Sequence, residues 1–298
     1  MTEDTIGIGD LARRTGLPIR TIRFYCDEGL LETSRSAGGH RRFDTAAVER
    51  LVLVQRLRAL GLGLRSIADV LTGERSLTDT VAEERAALDR EFASLAWRRS
   101  ALRAVEETPP PDRAARLDLL SAVGDGAAAH HTLVGLWRPM TTGPIPPDTA
   151  EMFLDISAPR PPAVPTPAQV LAYAELVLLA ADRTLTACVR TSTLAHHEKI
   201  ADLGALHNAV GEACQQAFPQ VEAGAAPSPG KPLDQFVAAH ATALRTPDTP
   251  GFRRALNRRT APDRDPRMRR YWHLAAEVTG DPTSLAHLWL LDALDRSA

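Results

Sequence analysis

Ile8, Leu11 and Ala12 fall at i, i+3 and i+4, which places them on one face of a short helix. Gly16 ends that helix, and Pro18 opens the next, because a first-turn proline gives up an N–H that has no helical partner anyway. The second helix is predicted from Pro18 to about Glu28. Ile19, Ile22 and Cys26 lie on one side of it and Arg20, Arg23 and Asp27 on another, until Gly29 stops it. Two short helices about a glycine turn make a helix-turn-helix, whose second helix is the one that enters a major groove. The segment Ser34 to Phe43 then reads as a hairpin wing. Gly38 and Gly39 permit a tight tip, and Arg41 and Arg42 follow it, where guanidinium groups can grip phosphates. Phe24 and Phe43 are expected in the core. A third helix begins near Asp44-Thr45 and carries Val48, Leu51, Val52, Gln55 and Leu57. Gly61-Leu62-Gly63 breaks it before a short helix from Leu64 to Leu71.

Residues 76–107 change character. Val81, Leu88, Leu95 and Leu102 recur every seventh residue, while the companion row Leu77, Glu84, Glu91, Arg98 and Val105 is apolar only at its ends. Phe92 broadens the stripe. One strict apolar row beside charged neighbours predicts a helix that pairs with another over part of its surface, a dimerisation coiled coil. Pro109-Pro110-Pro111 ends it. The rest of the chain is rich in Ala and Leu without period-two alternation, so it is expected to be helical, with proline-marked loops at 144–147, 159–167 and 226–232. The apolar run from Leu171 to Val189 is interrupted by Glu175, Asp182 and Arg183, and is expected to be a buried helix rather than a membrane span. The expected architecture is mainly α. It comprises a winged helix-turn-helix with a small β wing over 1–75, a long dimerisation coiled-coil helix over 76–108, and an all-α effector domain over 112–298.

Composition narrows the function. The 298 residues carry a net charge of −2, so no global basic field draws the chain to nucleic acid, and any DNA-binding surface must be local. The three cysteines, Cys26, Cys188 and Cys214, form no C-x-x-C pair, which argues against a disulfide framework or a zinc ribbon. The sequence shows no basic-then-apolar leader, and a cytoplasmic protein is expected.

Several strings now bear on identity. Ile8-Gly9-Asp10-Leu11-Ala12, Thr15-Gly16-Leu17, Arg20-Thr21-Ile22-Arg23-Phe24-Tyr25 and Gly29-Leu30-Leu31 occur in that order. They are followed by Gly39-His40-Arg41-Arg42-Phe43 and by Leu57, Leu60-Gly61-Leu62-Gly63-Leu64 and Ile67. This set resembles the DNA-binding end of the MerR family over residues 6–71. The resemblance implies that Arg20, Thr21 and Arg23 face the major groove or its phosphates and that Tyr25 reaches phosphate through its hydroxyl. His40, Arg41 and Arg42 would hold the wing to the backbone. It also implies an antiparallel homodimer that reads a palindromic operator in double-stranded promoter DNA. That dimer would distort the promoter spacer into the alignment that RNA polymerase needs. Two positions depart from the pattern: Cys26 stands where the family usually has an acidic or polar residue, and Gly63 where Ser or Thr is common.

The effector half is informative mostly by exclusion. Metal-sensing relatives place a cysteine at the start of the dimerisation helix and more just after it. This chain has Ser76 there and no cysteine between Cys26 and Cys188, so a thiolate metal site of that kind is excluded, and so is an iron–sulfur cluster. The cobalamin-type D-x-H-x-x-G string is absent, its nearest approach being Asp202 to His207. The pairs His130-His131 and His196-His197, with Glu198, are poor chelators, because neighbours on a helix point about 100° apart. No cofactor, no metal and no catalytic residue is expected, and the chain is read as not an enzyme. Trp137, Tyr173, Tyr271, Trp272 and Trp289 supply aromatic surface for a small organic ligand, planar or cationic, although tryptophans in a helical domain also serve as core. The arginine-rich stretch 253–270 is expected to be a solvated face. Two alternatives stand beside ligand sensing: a regulator controlled by abundance or by a protein partner, and an enzyme fused to a DNA-binding domain with His196, His197 and Glu198 as its only candidates.

Overall fold

A computed structural model describes residues 5–35, 39–124, 126–142, 145–197, 200 and 202–297, with the side chains at 127 and 192–197 outside that description. The chain divides into two compact units, Met1–Glu91 and Phe92–Ala298, and the boundary falls inside one long helix. The architecture is mainly α, with one small antiparallel sheet among the described residues.

In the first unit, α1 (Ile8–Thr15) and α2 (Ile19–Asp27) form the helix-turn-helix, and α3 (Ala46–Ala59) and α4 (Leu64–Thr72) back it. Gly16 takes a left-handed φ of 70° at the turn and donates its N–H to Ala12 O at 2.9 Å, a conformation that a side chain would strain. Gln55 Nε2 on α3 donates to Thr15 O at 3.0 Å and so fixes that turn. Leu11, Ile22, Phe43, Leu51, Val54 and Ile67 close the core with no more than 1% exposure. The strands β1 (Ile6–Gly7), β2 (Ser34–Arg35) and β3 (Arg41–Phe43) run in the order β1-β3-β2, pairing Ile6 with Phe43 and Ser34 with Arg42. Gly38, expected at the wing tip, lies outside the described residues.

One core expectation fails. Phe24 is 47% exposed, whereas Tyr25 is buried. With Ile22 inward, the buried face of α2 continues at i+3 and i+4, which are Tyr25 and Cys26. Phe24 at i+2 turns about 200° away.

The helix α5 (Leu77–Glu106) starts on Ser76, whose hydroxyl accepts the Asp79 N–H at 3.0 Å, so this serine is a cap. Its last turns pack into the second unit. Trp97 meets Tyr173 edge-on at 5.5 Å, and Ser100 Oγ donates to Pro165 O at 2.6 Å. The second unit continues through α6 (Arg113–Ser121), α7 (Gly126–Trp137), α8 (Pro147–Ser157), α9 (Pro167–Ala181) and α10 (Arg183–His197). It closes with α11 (Leu203–Glu222), α12 (Lys231–Ala243), α13 (Pro250–Arg259), α14 (Pro266–Thr279) and α15 (Thr283–Ser297). The densest packing joins α9 with α14, and α11 with α12 and α15.

The apolar run from Leu171 to Val189, expected as one helix, is two. Asp182 ends α9 and caps α10, accepting the N–H of Thr184 at 2.8 Å and of Leu185 at 3.2 Å. The Thr184 hydroxyl and those amides hold its carboxyl down to about 2. Among the described residues, no helix is long and apolar enough to cross a membrane.

The arginine stretch is the expected solvated face only in part: Arg254, Arg258, Arg259 and Arg270 are exposed, and several are engaged by acids. Arg253 binds Asp234 and Asp248, Arg267 binds Asp182 and Asp265, Arg269 binds Asp292, and Arg270 grips Glu175 at 2.7 and 2.6 Å. The acids that α9, α12 and α15 present decide this, because each lies within reach of a guanidinium fork.

His287 on α15 packs against Phe236 at 6.0 Å and Trp272 at 6.2 Å, and burial pushes its imidazole down from 6.5 to about 4. The folded chain then keeps this ring neutral while the unfolded chain protonates it, so stability is lost as pH falls from about 6.5 to about 4. Over that window the native chain is expected to lose on the order of 2 kcal/mol more than His287→Gln. Urea unfolding at both ends of the window checks this, and equal losses would contradict it.

Candidate nucleic-acid interface and effector cavity

Arg20 and Arg23 stand one turn apart on the exposed side of α2, and neither makes an ion pair among the described residues. Thr21 beside them is half-buried. Tyr25 packs its ring inward, with Phe24 at 5.9 Å. The wing arginines are engaged differently. Arg41 Nη2 binds Asp27 Oδ1 at 2.8 Å, which ties the wing to the end of α2. Arg42 Nη2 donates to Thr5 O at 2.8 Å and holds the segment leading into β1. Each guanidinium keeps further donors after these bonds, so both can brace the wing and still meet a phosphate. His40 is exposed at the base of the tip, next to Gly39 with its left-handed φ of 78°. Cys26 is half-buried, and burial pushes its thiol up, away from the thiolate that redox chemistry needs.

The heptad row of α5 points outward. Leu88 is 54% exposed, Leu95 58% and Leu102 65%, with Phe92 at 59% and Val81 at 38%. Ala96, Trp97 and Ala104, on the other side of the helix, are buried by their own chain. The helix thus carries two apolar faces, of which only one is covered.

A cavity of about 270 Å³ lies in the second unit, between α7, α8, α11, α12, α14 and α15. Trp137 and Trp272 form part of its wall, 5.1 Å apart, and Phe153 stacks on His207 at 4.8 Å across another part. The other three aromatic residues singled out from the sequence do not line it. The hydroxyl of Tyr271 accepts the Trp137 indole N–H at 2.7 Å and donates to Ser157 O. Tyr173 donates to Pro159 O at 3.1 Å, and Trp289 donates its N–H to Ala225 O at 2.8 Å. All three are core side chains with their polar ends spent. Burial pushes both tyrosine hydroxyls up, so they stay protonated and donate.

The cavity also receives groups that sequence reasoning did not assemble. Asp263 lines it, and desolvation pushes its carboxyl up to about 6, against the lowering charge of Arg264. His207, His240 and His287 come from three different helices, and burial raises the Cys214 thiol to about 12. Among the described residues, no three His, Cys, Asp or Glu side chains lie close enough together to hold a metal ion. The His196 and His197 side chains, and Glu198, lie outside the described residues. The signal for this site is weak in the sequence because its walls come from segments more than a hundred residues apart.

Comparison with known proteins bears on the first unit. The family model described as MerR HTH family regulatory protein matches residues 7–74. The nodulation protein NolA of Bradyrhizobium sp. (strain NC92) is 36% identical over 97 residues, covering 32% of this chain and 41% of that protein. An HTH-type transcriptional activator, a SoxR homolog from Chromobacterium violaceum, is 33% identical over 32% of this chain and 64% of its own length. The HTH-type transcriptional activator TipA of Streptomyces coelicolor is 37% identical over 30% of this chain and 34% of its own length. The chain spans about two fifths of the length of the NolA relatives it matches. No solved structure matches. The matched range takes in the glycine turn, α2 and most of the three-stranded wing, and residues 7–74 are similar to the helix-turn-helix of the MerR family of regulatory proteins.

Proposed function

We propose that the chain is a homodimeric, cytoplasmic transcriptional regulator that binds double-stranded promoter DNA through α2 and the wing, and that it senses a small organic ligand in its second unit. The observation that carries the DNA half is the pair Arg20 and Arg23, exposed and without a carboxylate partner among the described residues, on the second helix of a helix-turn-helix. In a chain of net charge −2, two exposed guanidinium groups on one short helix supply the local positive charge that phosphate binding requires. The wing, braced by Arg41 on Asp27, provides a second contact along the backbone.

The uncovered row Val81, Leu88, Leu95 and Leu102 favours a homodimer, because exposed leucines at heptad spacing gain most from burial against a second copy of the same helix. Two-fold symmetry would then match a palindromic operator. In this reading the dimer deforms the promoter spacer, phosphate contacts offset a deformation cost of several kcal/mol, and RNA polymerase reads the result. A ligand acts by binding one of two dimer conformations more tightly than the other. The cavity walled by Trp137 and Trp272 is the site available for it.

Arg23→Ala is expected to weaken binding to all duplex sequences alike and to lower the slope of log affinity against log salt by about one, as for the loss of one phosphate contact. Fluorescence anisotropy at several salt concentrations measures both, and an unchanged slope and affinity would refute the placement of α2 on DNA. Replacing Leu88 and Leu95 together with Glu is expected to yield monomers in light scattering. A dimer that persists would refute the assigned face.

A further inference from the structure

The cavity of the second unit contains an unsatisfied donor. Trp272 is 8% exposed and lines the cavity, yet its indole N–H has no acceptor among the described residues, whereas the neighbouring Trp137 N–H is bound by Tyr271. A buried N–H left unbonded costs free energy unless something supplies an acceptor. The same cavity contains an under-solvated acceptor. Asp263 sits in the turn Ala261–Arg264, desolvated, with only the charge of Arg264 favouring its ionised form. Its carboxylate would gain from a hydrogen-bond donor.

The charges around the cavity constrain its occupant. Facing it are Asp263, the exposed Arg259, the imidazoles of His207, His240 and His287, and the thiol of Cys214. Burial keeps His287 neutral above about 4 and the Cys214 thiol protonated below about 12. Arg264, whose guanidinium is anchored on Asn257 O at 2.6 Å, already offsets Asp263. Arg264 also lies 3.8 Å from Asp295, so Arg259 and Arg264 balance Asp263 and Asp295, and a cationic ligand would add a positive charge with no carboxylate left over for it. An anion would place a second negative charge beside Asp263 in an apolar site. Either leaves a buried charge poorly compensated.

Taking the second unit as a ligand-binding unit, as proposed above, we infer that this cavity takes a flat, ring-bearing molecule of no net charge that accepts a hydrogen bond from the Trp272 indole and donates one to the Asp263 carboxylate. Trp137 and Phe153 supply ring surface for stacking, and about 270 Å³ suits a molecule of two or three fused rings.

Three probes that share one ring system test this by isothermal titration calorimetry of the full chain. They are 2-quinolinone, an uncharged lactam with one N–H and one carbonyl, N-methylquinolinium, a cation, and quinoline-2-carboxylate, an anion. The lactam is expected to bind at least about tenfold more tightly than either ion. Asp263→Asn and Trp272→Phe are each expected to weaken the lactam about tenfold while the melting temperature stays within a few degrees. The comparison on the native chain decides the matter even if a variant folds poorly. Equal or tighter binding of either ion would overturn the inference and leave ligand sensing standing. Silence of all three probes would overturn both.

Discussion

The hydroxyl of Tyr271 is the junction on which the second unit turns. Fully buried, it must find partners or cost the fold a desolvated polar group. It takes the N–H of Trp137 and gives its own proton to Ser157 O, so that α14, α7 and α8 meet at one atom. That junction fixes the plane of Trp137 and, through a 5.1 Å ring contact, the plane of Trp272 next to it. The result is an aromatic wall with one indole N–H spent inside the core and the other left without a partner. A cavity follows because three rings locked in place cannot collapse to fill the space before them. Cores usually close such gaps, and this one keeps a carboxylate, three imidazoles and an arginine around it.

The first unit obeys a different constraint, that of placing positive charge where it cannot be neutralised internally. In the second unit a cluster of guanidinium groups, those of Arg253, Arg267, Arg269 and Arg270, reaches carboxylates. Arg41 and Arg42 spend part of their capacity on bracing the wing. Arg20 and Arg23 are exposed on α2 with no carboxylate partner among the described residues. The charge is local, so a chain of net charge −2 still presents positive charge on one face of α2.

How much of this was legible in the sequence follows from how local each signal is. Gly16 with Pro18, the spacing of Leu11 and Ile22, and the heptad of Val81 to Leu102 are encoded within a few turns of chain, and the helices stand where those residues put them. Strand β1 was not, because two residues, Ile6 and Gly7, are too few to show alternation. Phe24 was misread because its ring looks like core, while the helical angle from Ile22 sends it outward. Asp182 was read as an interruption of one helix, yet a carboxylate that can reach two backbone amides ends a helix and starts another. The cavity was the least legible. Tyr173, Tyr271 and Trp289 carry the same composition signal as Trp137 and Trp272, and only the hydrogen-bond partner of each polar end separates core from wall. The groups that give the cavity its polarity, Asp263 and the three imidazoles, come together only through packing.

In the proposed function, two copies of α2, held by a paired α5, read DNA with two-fold symmetry. Selection of binding sites from a pool of random duplexes by the full chain tests it most directly. The account predicts enrichment of an inverted repeat whose half-sites lie a whole number of helical turns apart, on one face of the duplex. Recovery of no sequence above the random background, or of a single half-site without its symmetric mate, would contradict it.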